Sequence, residues 1–155
     1  MNQGTDIEYS LKLIDVSQID QIAPLWKKLF AYHHEMRHQV VYEPSDTEWI
    51  RRKNKLKDKA CEMIVLQALS ENKMIGYLVA SLQKLDPTCG EIDSLFVLDE
   101  YRSEGVGGAL LEEALNWFNY KGVIRKKLAI GIENERVVSF YEKYGFKAKR
   151  LIMEG

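Results

Sequence analysis

Residues 34–38, His34-Glu35-Met36-Arg37-His38, fit the pattern H-E-x-x-H. On a helix that spacing sets two imidazoles one turn apart with a glutamate between them, the arrangement by which a zinc hydrolase holds its metal and its general base. A catalytic zinc also needs a third protein ligand and an open coordination position. The remaining histidine, His33, is adjacent to His34 and points to another side of the helix. Glu62 lies at a suitable distance downstream, but it falls in the apolar run CEMIVLQAL, which reads as a strand. A zinc hydrolase built on His34, Glu35 and His38 is therefore disfavoured, and no metal is expected. Cys61 and Cys89 lack a CxxC spacing and read as reduced thiols.

A second constellation is Arg102-Ser103-Glu104-Gly105-Val106-Gly107-Gly108, placed between a strand pattern and a helix pattern. Glycines there let the backbone bend tightly and approach a ligand with no Cβ in the way. The start of the following helix supplies unpaired N–H groups and the positive end of its dipole, which together favour a phosphate. A Walker loop would need a lysine after the last glycine, and none follows. A dinucleotide fingerprint would need glycine where Leu110 stands, inside an alternating βαβ order that is absent.

The elements that must position these residues follow from periodicity and punctuation. Residues 7–15 alternate apolar and polar and predict a strand. Ile19, Ile22, Trp26, Leu29, Phe30 and His33 then recur at helical spacing after Ser17, which with Asp20 resembles a capping box; Pro24 should kink that helix. Residues 46–58 form a second, more polar helix capped by Ser45 or Asp46, its basic residues expected in solvent. Residues 61–70 and 74–85 are apolar strands joined by a hairpin at Glu71-Asn72-Lys73, and residues 89–98 form the next strand. A helix over 109–121 stops at Gly122, followed by a strand over 125–132, a helix over 134–144 and a closing strand over 145–153. The order is β-α-α-β-β-β-α-β-α-β, with no repeat or linker. It predicts one α+β domain over residues 1–155, a central mixed sheet with helices on both faces.

A formal net charge of −1 gives no electrostatic reason to expect nucleic acid or a membrane as partner. No apolar run approaches the roughly 20 residues that cross a bilayer, and the polar start MNQGTDIEYS lacks the basic and apolar regions of a signal peptide. A cytoplasmic location is expected.

The stretch RSEGVG matches the R/Q-x-x-G-x-G/A signature of the GNAT superfamily of N-acetyltransferases, and EIDSLFVLDEYRSEGVGGALLEEAL resembles its motif A. NERVVSFYEKYGF resembles its motif B in the asparagine, the Phe-Tyr pair and the Gly-Phe. Residues 91–146 carry the specific likeness; over the first 60 residues it is one of element order. The resemblance implies a GNAT-like fold that uses acetyl-CoA as co-substrate and transfers its acetyl group to a primary amine of a small molecule or protein. Main-chain groups at Phe96 and Val97 would pair with the pantetheine, amides from Ser103 to Gly108 would hold the pyrophosphate beside Arg102, and backbone N–H groups would meet a developing oxyanion.

An alkyl ammonium has a pKa near roughly 10.4, so the amine must lose a proton before it attacks. Glu91 stands where some members of the resembled family carry a glutamate base, and Asp93, two residues on along the same strand face, is the reserve. Tyr141 resembles the motif B tyrosine that protonates the leaving thiolate. Asn134 precedes it by seven residues, two helical turns, so a shared face toward the cofactor is expected. In the same family the first two helices wall the acceptor pocket, which nominates His34, His38, Tyr42 and Glu43 as acceptor contacts. The acidic groups Glu43, Glu91 and Asp93 favour a cationic small molecule. Family members usually finish with a strand pair, whereas eleven residues follow Tyr144 here. A second subunit could supply that wall in a homodimer, or the acceptor site could lie open to a protein chain. A noncatalytic module that binds CoA as a sensor or scaffold is the alternative, and it would need neither Tyr141 nor Glu91.

Overall fold

The computed structural model describes residues 7–155. Five strands form one sheet in the order of the chain. They are β1 (Ser10–Ile14), β2 (Ala60–Ser70), β3 (Lys73–Gln83), β4 (Cys89–Val97) and β5 (Arg125–Leu128). The first four pair antiparallel and β4 pairs parallel with β5, so the sheet is mixed, as expected.

Strand alternation divides the core in two. Val65, Tyr77, Val79 and Phe96 pack on one face with α1 (Ala23–His38) and α2 (Asp46–Lys59). Leu66, Ala68, Leu78 and Ala80 pack on the other with α3 (Val106–Lys121), whose Leu110, Leu111, Ala114 and Phe118 form a fully buried stripe at helical spacing. Burial of each large side chain in that stripe stabilises the fold by about 1.5–3 kcal/mol.

Local chemistry explains the boundaries. Ser45 and Glu48 form a reciprocal capping box at the start of α2. The β2–β3 turn puts Glu71 and Asn72 at φ 51° and 65°, the two left-handed residues that match the twist of a tight hairpin. Pro24 marks a start instead of a kink: residues Val16–Ile22 form a 3-10 segment, and α1 begins at Ala23 with Pro24 in its first turn, where no amide is required. The expected Ser17–Asp20 box is replaced by Asp15, whose carboxylate accepts from the Ser17 amide at 2.8 Å.

Two expectations at the C-terminal end are corrected. The helix over 134–144 is a 3-10 segment, Ile132–Val137, followed by a short α4, Val138–Glu142. The closing strand over 145–153 does not form. Phe146 packs with Tyr141, and the residues after it pair with no strand and expose Leu151, Ile152 and Met153. A lone segment without a partner has no ladder to fix its backbone.

Candidate active site

The sheet opens at one place. β4 and β5 are in register from Cys89 with Arg125 to Ile92 with Leu128, after which β5 ends while β4 continues to Val97. Beyond that point the two parallel segments diverge, and Ser94 to Val97 face Ala129 to Gly131 across a cleft of about 1000 Å³. The opposing register shows why β4 is bent there. Val79 pairs with Ser94 and Ala80 with Ile92, leaving Asp93 as the extra residue of a β-bulge.

The glycine-rich segment closes one end of the cleft. Ser103 and Gly105 have φ 66° and 83°, and the left-handed turn at Gly105 aims the backbone into α3. Ala109 donates to Gly105 O at 3.0 Å, so the amides of Gly105 to Gly108 precede the first bond of the helix. A Cβ on Gly107 would sit 3.7 Å from Phe140 and 3.8 Å from Val97, ordinary packing distances. No contact among the described residues requires glycine at that position, whereas a ligand lying against the backbone would. Arg102 reaches back to donate its Nε–H to Val97 O at 3.0 Å.

Tyr141 lies on the far wall, supported by Phe140 and Phe146 with ring centroids 5.0 and 6.0 Å away. Burial pushes its phenol up to about 12, so it stays protonated at neutral pH and has a proton to donate. Asn134 also lines the cleft, but at φ −121° it lies outside the helix, and the expected two-turn spacing to Tyr141 does not exist.

The structure brings Phe96, Val97, Arg102, Ser103, Gly105, Gly107, Gly108, Asn134, Tyr141, His34 and Asp93 to this cleft. Glu104, Val106, Glu91, His38, Tyr42 and Glu43 are not on its wall. Val106 is buried beneath it. Tyr42 instead stacks on His34, centroids 4.2 Å apart, and donates to Glu48 at 2.7 Å. Tyr42 thereby holds His34 in place.

The two carboxylates share one cation. Lys59 Nζ stands 2.8 Å from Glu91 and 2.5 Å from Asp93, whose side chain is fully enclosed. Gln83 donates to Glu91 at 3.0 Å as well. Burial raises the Asp93 pKa against the opposing pull of Lys59 and Ser81. The Lys59 ammonium resists its own burial through Asp93 and Glu91, with a net upward shift. The acidic setting expected for the acceptor is therefore corrected in part: Glu91 and Glu43 are not on the cleft wall, and Asp93, which is, has its side chain enclosed against Lys59.

Sequence reasoning missed what surrounds them. Glu48, Arg51, Arg52 and Lys55 occupy positions i, i+3, i+4 and i+7 of α2, and all four line the cleft. That periodicity predicts a basic face in solvent; Arg51 and Lys55 are exposed, but on the open wall of the cleft. On the opposite rim, α1 is strapped to the segment before α4. Arg37 makes a bidentate pair with Glu133 at 3.1 Å on each arm, and Arg136 donates to Tyr32 Oη at 2.5 Å. His33 sits 3.7 Å from Glu133, yet burial lowers its pKa. Among the described residues no group of three or more His, Cys, Asp or Glu is placed to hold a metal, and Glu62 is paired with Lys121 at 2.6 Å.

The profile of the Acetyltransferase (GNAT) family matches residues 23–146. This chain belongs to the GNAT acetyltransferase family. An uncharacterised N-acetyltransferase of Methanocaldococcus jannaschii is 23% identical over 154 residues, 93% of this chain. The chain spans 63% of that relative's length. The spermidine N(1)-acetyltransferase of Thermoplasma acidophilum is 25% identical over 90% of this chain and 86% of its own. The aminoglycoside N-acetyltransferase AAC(6')-Iy, solved in complex with CoA, superposes with a TM-score of 0.71 over 98% of this chain and 97% of its own at 17% identity, which establishes the shared GNAT-like fold. No helix among the described residues is long and apolar enough to cross a membrane.

Proposed function

We propose that residues 1–155 act as one GNAT domain that transfers an acetyl group from acetyl-CoA to a primary amine. The observation that carries this reading is the divergence of β4 and β5 directly beside a helix start whose first amides are unclaimed. An extended, phosphate-bearing chain can lie along Ser94–Val97 as an added strand with its phosphates at Gly105–Gly108. A CoA complex exists for a protein of the same fold, which supports the same occupant here.

Acetyl-CoA held there supplies the activated acetyl thioester. Phe96 and Val97 would offer main-chain groups to its pantetheine, and Arg102 with Ser103 to Gly108 would take its pyrophosphate. Val106 would contribute only its amide, its side chain being buried in the core. The phenol of Tyr141, protonated at neutral pH, would give a proton or a hydrogen bond to the departing thiolate, and Asn134 would contact the cofactor from elsewhere on the cleft wall. The ammonium proton would leave toward Asp93 and Glu91. Because Asp93 is enclosed and Glu91 lies off the wall, that transfer would run through water at the bulge. His34 would touch the acceptor, with Tyr42 behind it; His38 and Glu43 would act at the outer end of the same helix pair.

The test is release of free CoA thiol from acetyl-CoA over a panel of amines, with Tyr141→Phe alongside. Amine-dependent release that the variant reduces supports the reading. Binding of acetyl-CoA without release for any amine would favour a noncatalytic CoA sensor.

A further inference from the structure

The wall of the cleft opposite the phosphate loop carries a charge that the transfer reaction does not itself require. α2 turns one face inward, and that face reads Glu48, Arg51, Arg52, Lys55. The single acid is already used. Glu48 accepts from Tyr42 Oη at 2.7 Å and from the Ser45 amide at 2.9 Å, bonds that hold its pKa below the usual carboxylate range. Arg51 and Lys55 are exposed, and neither forms an ion pair among the described residues. Arg52 donates one N–H to Asp93 O at 3.0 Å, leaving its remaining donors available. The next acid, Asp93, has its side chain fully enclosed and paired with Lys59.

The position of this face separates it from the cofactor phosphates. Arg52 is anchored at the bulge, where β4 and β5 part, while the amides of Gly105–Gly108 lie past the other end of β4. Val97 lies four strand positions beyond Asp93, roughly 13 Å of backbone at the strand rise. A thioester reaching the bulge from phosphates held at the loop would therefore present its acyl end close to three cationic side chains. Anything that approaches it from the α2 side meets them first.

Resting on the acetyltransferase reading above, we infer that the amine acceptor also carries an anionic group, a carboxylate or a phosphate ester, which Arg51, Arg52 and Lys55 hold while its amine reaches the bulge. A guanidinium pair and an ammonium one helical turn apart suit such oxygens. A polycation of the spermidine type, the acceptor named for the Thermoplasma relative, would meet like charge there. The chemistry balances without a further reactant. The amine nitrogen bonds to the acetyl carbon, the carbon–sulfur bond breaks, the thiolate keeps its electron pair and takes a proton, and the ammonium proton goes to water or a carboxylate.

The experiment compares matched acceptors on the full chain: α-amino acids against their decarboxylated amines, an amino sugar phosphate against the bare amino sugar, and spermidine. Each is assayed with the native protein and with Arg51→Gln/Lys55→Gln, whose exposed side chains are dispensable for packing. The expected result is kcat/KM at least about tenfold higher for the anionic member of one pair, falling to within about threefold in the variant, with the KM for acetyl-CoA unchanged. The pair that responds tells carboxylate from phosphate. A preference for spermidine or for the neutral members overturns the inference and leaves the acetyltransferase reading standing. A variant that changes the acetyl-CoA KM and not acceptor preference assigns the basic face to the cofactor and also overturns it. Acetyl-CoA bound with no panel amine acetylated rejects the anionic acceptor. No binding of acetyl-CoA removes both readings together.

Discussion

Replacement of Lys59 by methionine tests how the bulge in β4 is held. Lys59 is the cation shared by Asp93 and Glu91, and the Asp93 side chain has no exposed surface. Removing one partner of a buried ion pair typically costs 3–5 kcal/mol, because the other charge is left uncompensated. Lys59 itself keeps 29% of its side chain exposed, and Glu91 retains its bond from Gln83, which places the loss at the lower end, about 3 kcal/mol near pH 8.

The pH dependence has a definite sign. Burial already raises Asp93, and without Lys59 its folded pKa rises further above the unfolded value. Between those two values the folded state binds the additional proton, so the unfolding free energy falls as pH increases, by up to about 1.4 kcal/mol per unit. Lys59→Met should therefore be worst at pH 8 and partly relieved at pH 5. Lys59→Met/Asp93→Asn, which leaves no buried charge at Asp93, should recover most of the loss. Urea denaturation followed by tryptophan fluorescence at the two pH values measures all of this. A loss below 1 kcal/mol at pH 8, or an equal loss at pH 5, would refute the reasoning.

Three other substitutions probe the site. Gly107→Ala should leave stability unchanged or raise it by up to about 1 kcal/mol, since the added methyl meets only ordinary contacts, while acetyl-CoA affinity falls. Thermal melting and calorimetry on the same sample check it, and a destabilised variant would mean that packing, not a ligand, requires the glycine. Tyr141→Phe should lower kcat by about 100-fold with little change in acetyl-CoA binding, and equal loss of both would assign the phenol to binding. Glu133→Gln should cost at most about 1 kcal/mol, because its partner Arg37 is largely exposed, yet should raise KM for acetyl-CoA by loosening the segment that bears Asn134; an unaltered KM would make the strap purely structural.

Structure was legible in the sequence where a local signal and the tertiary environment agree. The hairpin at Glu71-Asn72 was readable because a short polar break separates two apolar runs, and the motif around Gly105 was readable because few backbones need glycines in that pattern. The failures are tertiary. Pro24 is compatible with a kink or a first turn, and only the preceding 3-10 segment decides between them. The bulge at Asp93 arises from the pairing of β4 with β3, which no single-strand pattern contains, and it brings Lys59 to the two carboxylates proposed as bases. Their acidity was legible; their pairing with a residue more than 30 positions earlier was not. The face of Arg51, Arg52 and Lys55 shows the same limit. Its period was plain, but whether a charged face meets solvent or a cleft depends on what lies opposite.

The most direct measurement is calorimetric titration of acetyl-CoA into the native protein and into Gly107→Glu. A glutamate there would put a carboxylate against the amides of Gly105–Gly108, where the pyrophosphate is proposed to lie. The expected result is saturable one-to-one binding by the native chain and its loss in a variant that remains folded by circular dichroism. Native protein that fails to bind, or a folded variant that binds as tightly, would contradict the assignment of this cleft to acetyl-CoA.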